Sequence, residues 1–432
     1  MFAIVGIVLF IIGLLITVGL HECGHLIPAK KFGVQVPRYF IGFGPTLWSI
    51  RAAGTQWGIK ALPLGGFVQL AGMLAPARAG VRTHKSDGSP TLAQQARIAS
   101  AQELDPSQPG IEFWRLKARK KLIVMFGGPC VNLLLSIVLL VVVICGIGTG
   151  TYTTTLATVQ PCIDSESATC AEDQVAPGER AGLREKDIIV RWDGVPMHSW
   201  EDIQNAINSG GTDPVQVSII RAGREQSVQV TPIETERPVV REGMVVFDPA
   251  TSKPMMENKP YVGISPTIEL ARQPLSAALI QAGQLFTSTV RIVIALPEKL
   301  WEITVGLFSG APRAQDSVVG LVGVADMAGS ITSVSLEGYG IKERAADFLL
   351  LMASLNMSLF VFNLIPLLPL DGGHIAGALV EGVRRHVARW RGKEDPGPCD
   401  TARLLPLSYA VIGFFVVMTI LLIVADIVNP VV

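Results

Sequence analysis

Long apolar stretches alternate with polar ones along this chain. Met1–Leu20 has no charged residue, and Leu122–Ile147 is uncharged over 26 residues. Phe348–Leu370 is apolar but interrupted by Asn356, Asn363, Pro366 and Pro369. Leu404–Ala425 is apolar throughout. A helix needs about 20 apolar residues to cross the hydrocarbon core of a bilayer. The pattern therefore predicts four transmembrane helices, over 1–32, 119–150, 347–375 and 404–428. The first is read as a retained helix. It lacks the basic n-region and small-residue cleavage site of a signal peptide, and His21-Glu22 follows it at once.

Between the spans the periodicity changes. Residues 33–72 carry short alternating stretches separated by glycines, which predicts a membrane-associated β-region. Within it, TQWGIKALPLGGFVQLAG reads as strand, turn, strand. Backbone at membrane depth must be shielded by protein or line a cavity, so this hairpin is expected to have such a place. Residues 73–118 are expected to form a cytoplasmic loop, mobile over its Ala-, Ser-, Gln-, Pro- and Gly-rich part, 75–110. Residues 151–266 predict a soluble β-rich domain, with turns at Asp193-Gly194 and Ala222-Gly223 and a helix between them. The segment 267–346 is expected to lie on the membrane surface, through amphipathic stretches in Gln273–Leu307. Residues 376–403 are expected to be a second cytoplasmic loop. The fold class is thus a polytopic α-helical membrane protein with a β-hairpin region and an extracytoplasmic β-rich domain.

Composition agrees with a membrane protein. Of 432 residues, 49% are hydrophobic and 17% charged, and the mean hydropathy is +0.43. That excludes a disordered chain, and a net charge of zero argues against nucleic acid as a partner. The zero conceals a polarity. Residues 28–121 hold 14 basic and 4 acidic side chains, whereas 151–346 hold 16 and 24. Lys and Arg flank spans on the cytoplasmic side. Lys30, Lys31, Lys117, Arg119, Lys120, Lys121, Arg384, Arg385 and Arg389 then mark that side, and both termini and the acidic segment lie outside. Cys162 and Cys170 fall in the outside segment, where an oxidising compartment favours a local disulfide.

The candidate chemistry sits at the end of the first span. His21-Glu22-Cys23-Gly24-His25 is H-E-x-x-H. Its two histidines share one helical face and can hold one Zn²⁺, and Glu22 beside them can act as general base toward a water the metal activates. Ionisable residues in a membrane span are costly and usually functional. A catalytic zinc needs a third protein ligand, and Asp371 is the candidate. It follows two helix-breaking prolines in Asn363-Leu364-Ile365-Pro366-Leu367-Leu368-Pro369-Leu370-Asp371-Gly372-Gly373, at a depth matching His21. His374 is a rival ligand, and His84, His198 and His386 are expected to be exposed in loops.

H-E-x-x-H in the first span together with N-x-x-P-x-x-P-L-D-G-G in a late span resembles the site-two protease family of intramembrane zinc metalloproteases. The Ile41-Gly42-Phe43-Gly44-Pro45 run and the segment Ala181-Gly182-Leu183…Asp187-Ile188-Ile189 resemble the RseP-like bacterial branch, the latter its PDZ domain, with Lys186 where glycine is usual. The resemblance implies an endopeptidase of the bacterial cytoplasmic membrane that cuts transmembrane segments. Its partners would be single-pass membrane proteins such as anti-sigma factors, or remnant signal peptides, and a peptide ligand for the PDZ-like domain. It also implies zinc on His21, His25 and Asp371, Glu22 as base, Asn363 as a holder of substrate backbone, and Gly65-Gly66 in a hairpin that pairs with substrate. The alternative is a catalytically silent PDZ-containing membrane scaffold, which would have no use for Glu22.

Overall fold

The computed structural model describes residues 2–429 apart from 79, 108, 164–169, 172–173, 242–243, 246–254, 310–312, 314–316 and 334–338. Parts of the predicted 151–266 and 267–346 segments lie outside the described residues. The chain divides into two compact units, Met1–Gly146 with Pro274–Val432, and Ile147–Gln273.

The first unit is built on apolar helices. In chain order they are α1 (Phe2–Lys31), α2 (Leu92–Gln102) and α3 (Ala118–Val141), the last widening into a π-helical end over Val142–Ile147. After the second unit, whose short helices are α4 (Pro177–Arg180) and α5 (Trp200–Gly210), come five more. These are α6 (Leu275–Ser309), α7 (Leu321–Ser333), α8 (Ile341–Asn363), α9 (Asp371–Trp390) and α10 (Leu405–Val428). Five helices are long and apolar enough to cross a membrane. Four correspond to the predicted spans. The fifth is α6, which occupies the expected surface segment and has the lowest mean hydropathy of the five, 1.4.

Three expectations are revised. The predicted third span is not one helix. α8 stops at Asn363, Leu364–Leu370 makes an irregular turn, and α9 starts at Asp371. Pro366 and Pro369 supply the reason, since proline lacks the N–H that a helix needs. The predicted loop 376–403 is therefore helical as far as Trp390. The predicted loop 73–118 contains α2, N-capped by Thr91 and held by Arg97, whose guanidinium bonds both oxygens of Asp400 at 2.7 and 2.8 Å.

The β-region consists of β1 (Arg38–Ala52) and β2 (Thr55–Gln69), and both strands are folded double. Tyr39 faces Trp57 on one side and Val68 on the other, and Trp48 faces Ile59. The result is four segments in the order 46–52, 55–60, 38–43, 62–69, in which the two outer pairs run antiparallel and the central two, 55–60 and 38–43, run parallel. Residues 66–69 are thus an outer edge. The sheet is tied to α1 where the Tyr39 hydroxyl donates to Gly19 O at 2.6 Å.

The second unit centres on a sheet of β12 (Ile264–Ala271), β3 (Thr149–Val159), β4 (Ile188–Trp192), β6 (Val215–Arg221) and β7 (Arg224–Val230), in that order. β5 (Val195–Pro196) pairs with β4, β8 (Ile233–Pro238) with β11 (Met256–Tyr261), and β9 (Val240–Arg241) with β10 (Met244–Val245). The predicted turns hold, with Asp193 and Ala222 at φ 49° and 48° ahead of Gly194 and Gly223. Leu156, Ile189, Ile203, Val217, Ile219 and Val230 are at most 1% exposed and form the core. Burying each stabilises the fold by about 1.5–3 kcal/mol before entropy is counted. α5 begins with a capping box between Ser199 and Asp202. The Cys162–Cys170 disulfide is formed.

Candidate active site

Hydropathy makes α1 a helix, and the helix brings His21 and His25 one turn apart on one face. Their Nε2 atoms lie 3.3 Å apart. Asp371, the first residue of α9, sends Oδ2 to 3.3 Å from His21 Nε2 and 3.2 Å from His25 Nε2. These three side chains form the metal-capable cluster found among the described residues. Asp371 Oδ2 is buried and makes no hydrogen bond of acceptable geometry. Three acceptor atoms thus converge on one point. A tetrahedral zinc with ligands at about 2.0–2.1 Å needs neighbouring donors about 3.3 Å apart, so the residues fit that ion.

The surroundings fix the orientation of both rings. His25 Nδ1 donates to Val124 O at 2.8 Å, which leaves Nε2 as the lone pair facing the cluster. His21 Nδ1 is 3.1 Å from the Asn132 side-chain nitrogen, while Asn132 Oδ1 is buried without a partner. Turning the amide over pairs Oδ1 with the Nδ1–H and satisfies both groups, again leaving Nε2 for a metal. Asn132 is one of the few polar residues in the uncharged run Leu122–Ile147. That rarity is the signal that marks it in the sequence, though nothing local tells which of the histidines it meets.

Glycines allow α1 and α3 to come this close. A Cβ on Gly24 would overlap Gly127 O, one on Gly127 would overlap Gly24 O, and one on Gly128 would overlap His25 Nε2. α9 is anchored to α3 by a buried ion pair, Lys121 Nζ to Glu381 Oε2 at 2.7 Å. Gly372 and Gly373 sit against the Ile365 and Leu368 backbone, which packs the turn tightly behind Asp371.

Glu22 lies beside the cluster. Its Oε2 accepts the Val68 N–H at 2.9 Å, so the outer edge of the β-sheet holds the carboxylate. Gly66, on that edge, is close enough that a Cβ there would lie 3.5 Å from Glu22 Cγ. Gly65 has φ +82° and faces the Phe43 ring. Asn363 ends α8 before the turn to Asp371 and is not in the metal-capable cluster. His374 is not in it either. It lines a cavity of about 710 Å³ with Val68, Gln69, Leu368, Ser100 and Glu103. His84, His198 and His386 are exposed, in accord with the expectation, although His386 lies on α9 rather than in a loop.

Residues 9–394 match peptidase family M50. The chain belongs to that family. A zinc metalloprotease Rip1 of Mycobacterium tuberculosis strain H37Rv is 31% identical over 100% of this chain and 99% of its own length. A zinc metalloprotease Rip1 of Mycolicibacterium smegmatis is 28% identical over 99% and 98%, and the metalloprotease MmpA of Caulobacter vibrioides 26% over 88% and 87%. This M50 peptidase is accordingly a zinc metalloprotease of the site-two type, and its apolar helices make it a multi-pass protein of the bacterial inner membrane.

Proposed function

We propose that this M50 peptidase cuts the transmembrane segments of single-pass membrane proteins, of the anti-sigma-factor or remnant-signal-peptide kind, with His21, His25 and Asp371 holding the zinc and Glu22 as general base. The observation that carries this reading is the triangle of Nε2, Nε2 and Oδ2 at 3.2–3.3 Å beside a carboxylate tied to a strand edge. Zinc in such a site supplies Lewis acidity, which makes a water more acidic and a peptide carbonyl more electrophilic.

The remaining steps belong to the chain's own residues. Glu22 Oε2 is occupied by the Val68 amide, so Oε1 is the atom that takes the proton from the attacking water and returns it to the leaving nitrogen. A helical substrate has its backbone bonds closed and must unwind before it can be cut. The outer edge 66–69 can pair with the unwound segment by strand addition, and Gly66, where a Cβ would meet Val18, lets that edge lie close against α1 beside Glu22. Asn363, which has no side-chain hydrogen bond among the described residues, has its amide free to hold that segment. The cavity next to Val68 and His374 gives water a way to the site. The Lys- and Arg-rich ends of α3 and α9 support a cytoplasmic placing of this cavity, with four spans, α6 on the membrane surface and both termini outside.

Glu22→Gln tests the base. It should retain zinc and lose cleavage of a co-expressed membrane substrate by about 10²–10⁴-fold; undiminished cleavage would refute the role. The β-rich unit we read as a PDZ-like domain that excludes substrates with bulky ectodomains. Deleting 155–235 should then increase cutting of untrimmed substrates, and unchanged selectivity would remove the gating role.

A further inference from the structure

A concave surface of about 600 Å³ lies where the first turn of α3 meets the C-terminal half of α9. Lys117, Arg119, Arg385, His386, Arg389 and Lys393 line it, against one acid, Asp395. Asp395 is engaged by Arg385 at 3.2 Å, and Arg385 also reaches Glu381. Lys117, Arg119, Arg389 and Lys393 pair with no carboxylate among the described residues. Four cations therefore share one hollow without internal compensation. The first turn of α3 adds to them, because Lys117 at the N-cap makes no side-chain cap bond and the positive end of the helix stays open.

The flank of α9 indicates where this hollow stands. Leu379, Val380 and Val383 are 50, 49 and 62% exposed, and Trp390 is 83% exposed. An apolar stripe ending in tryptophan suits the boundary between acyl chains and headgroups.

We propose that this basic hollow is a binding site for a phosphate-bearing anion, and that its ligand in the membrane is the headgroup of an acidic phospholipid. Free phosphate offers the same oxygens, but it gives no account of the apolar stripe beside the hollow. A bound headgroup would bridge α3 and α9. Those helices carry the Val124 carbonyl behind His25 and the carboxylate of Asp371, so the lipid would brace the candidate metal centre from its rim.

The test uses the full chain in detergent, with cardiolipin, phosphatidylcholine or inorganic phosphate added and bound lipid counted by native mass spectrometry. Cardiolipin should be retained in preference to phosphatidylcholine, and millimolar phosphate should not displace it. Arg389→Gln with Lys393→Gln should weaken cardiolipin binding by about thirtyfold, taking about tenfold per 1.4 kcal/mol and about 1 kcal/mol per cation near a membrane surface. Arg389→Lys with Lys393→Arg should keep most of the binding, which separates charge from misfolding. Arg384→Gln with Arg391→Gln removes the same charge from α9 and its C-cap, outside the hollow, and should have little effect. An equal loss in that control would mean diffuse attraction and overturn the site. Displacement by phosphate would overturn the lipid assignment. Neither outcome depends on proteolytic activity.

Discussion

Two aspartates stand at helix ends in the first unit, and they are treated in opposite ways. Asp426, near the end of α10, is saturated. Its Oδ1 accepts from Arg313 Nη1 at 2.9 Å and from Gly320 N at 3.3 Å, and its Oδ2 accepts from Gly323 N at 2.8 Å. It thereby caps the start of α7 from another helix, where Gly320 ahead of Leu321 has no side chain to do so. Asp371, at the start of α9, presents Oδ2 to two ring nitrogens and receives no hydrogen bond there. An apolar surrounding penalises a bare carboxylate in both places. At Asp426 protein donors meet that cost, and at Asp371 the geometry calls for a cation. Acidity inside a membrane protein is therefore a poor guide to function until the lone pairs are counted.

The widest separation should come from removing one charge at each place. Asp371→Asn should abolish stoichiometric zinc in the purified protein and with it all cleavage. Asp426→Asn should keep zinc but cost about 3–5 kcal/mol of stability, as breaking a buried pair does; thermal unfolding and metal analysis read both. Zinc loss in Asp426→Asn would break the contrast. A smaller effect should sharpen it. Asn132→Ala leaves the three proposed ligands intact but removes the partner of His21 Nδ1, and zinc affinity in chelator competition should fall about 10–100-fold. Unchanged affinity would make Asn132 a packing residue. The smallest effect concerns a third aspartate. Asp187 is 1% exposed and saturated by Arg221 and the Arg184 amide, yet the residue before it, Lys186, has φ +69°. Side chains other than glycine pay about 1–2 kcal/mol in that conformation. Lys186→Gly should therefore raise the stability of the β-rich unit by about 1 kcal/mol, and a lower melting temperature would show that the lysine makes a compensating contact.

What the chain reveals by itself follows the range of the interactions. α1, α3 and α10 are legible because hydropathy is a property of consecutive residues. His21, Glu22 and His25 are legible because one helical turn brings them together, and Asp371 because prolines and glycines break the helix around it. α2 escapes notice because it has no apolar stripe, and its buried Arg97 is held by Asp400, 303 positions away. The doubling of β1 and β2 escapes because Tyr39 has two partners, Trp57 and Val68, and alternation alone names neither. Asn132 is visible as a polar residue out of place, but its histidine lies 111 positions earlier. α6 is ambiguous because its length suits a span while Arg291, Glu298, Lys299 and Glu302 suit a surface.

The glycine contact between α1 and α3 carries one more consequence. With the Gly24 and Gly127 backbones touching, these two helices form a closed wall, and no peptide can slide between them to reach the histidines. On the proposed reading, substrate comes in on the other flanks, along the strand edge at 66–69 or past the bend at 364–370. A helix needs its turns tight to cross lipid, whereas an edge strand accepts only extended chain. The wall would thus turn away intact helices without recognising any sequence, and leave the choice of what is cut to how readily a segment comes undone.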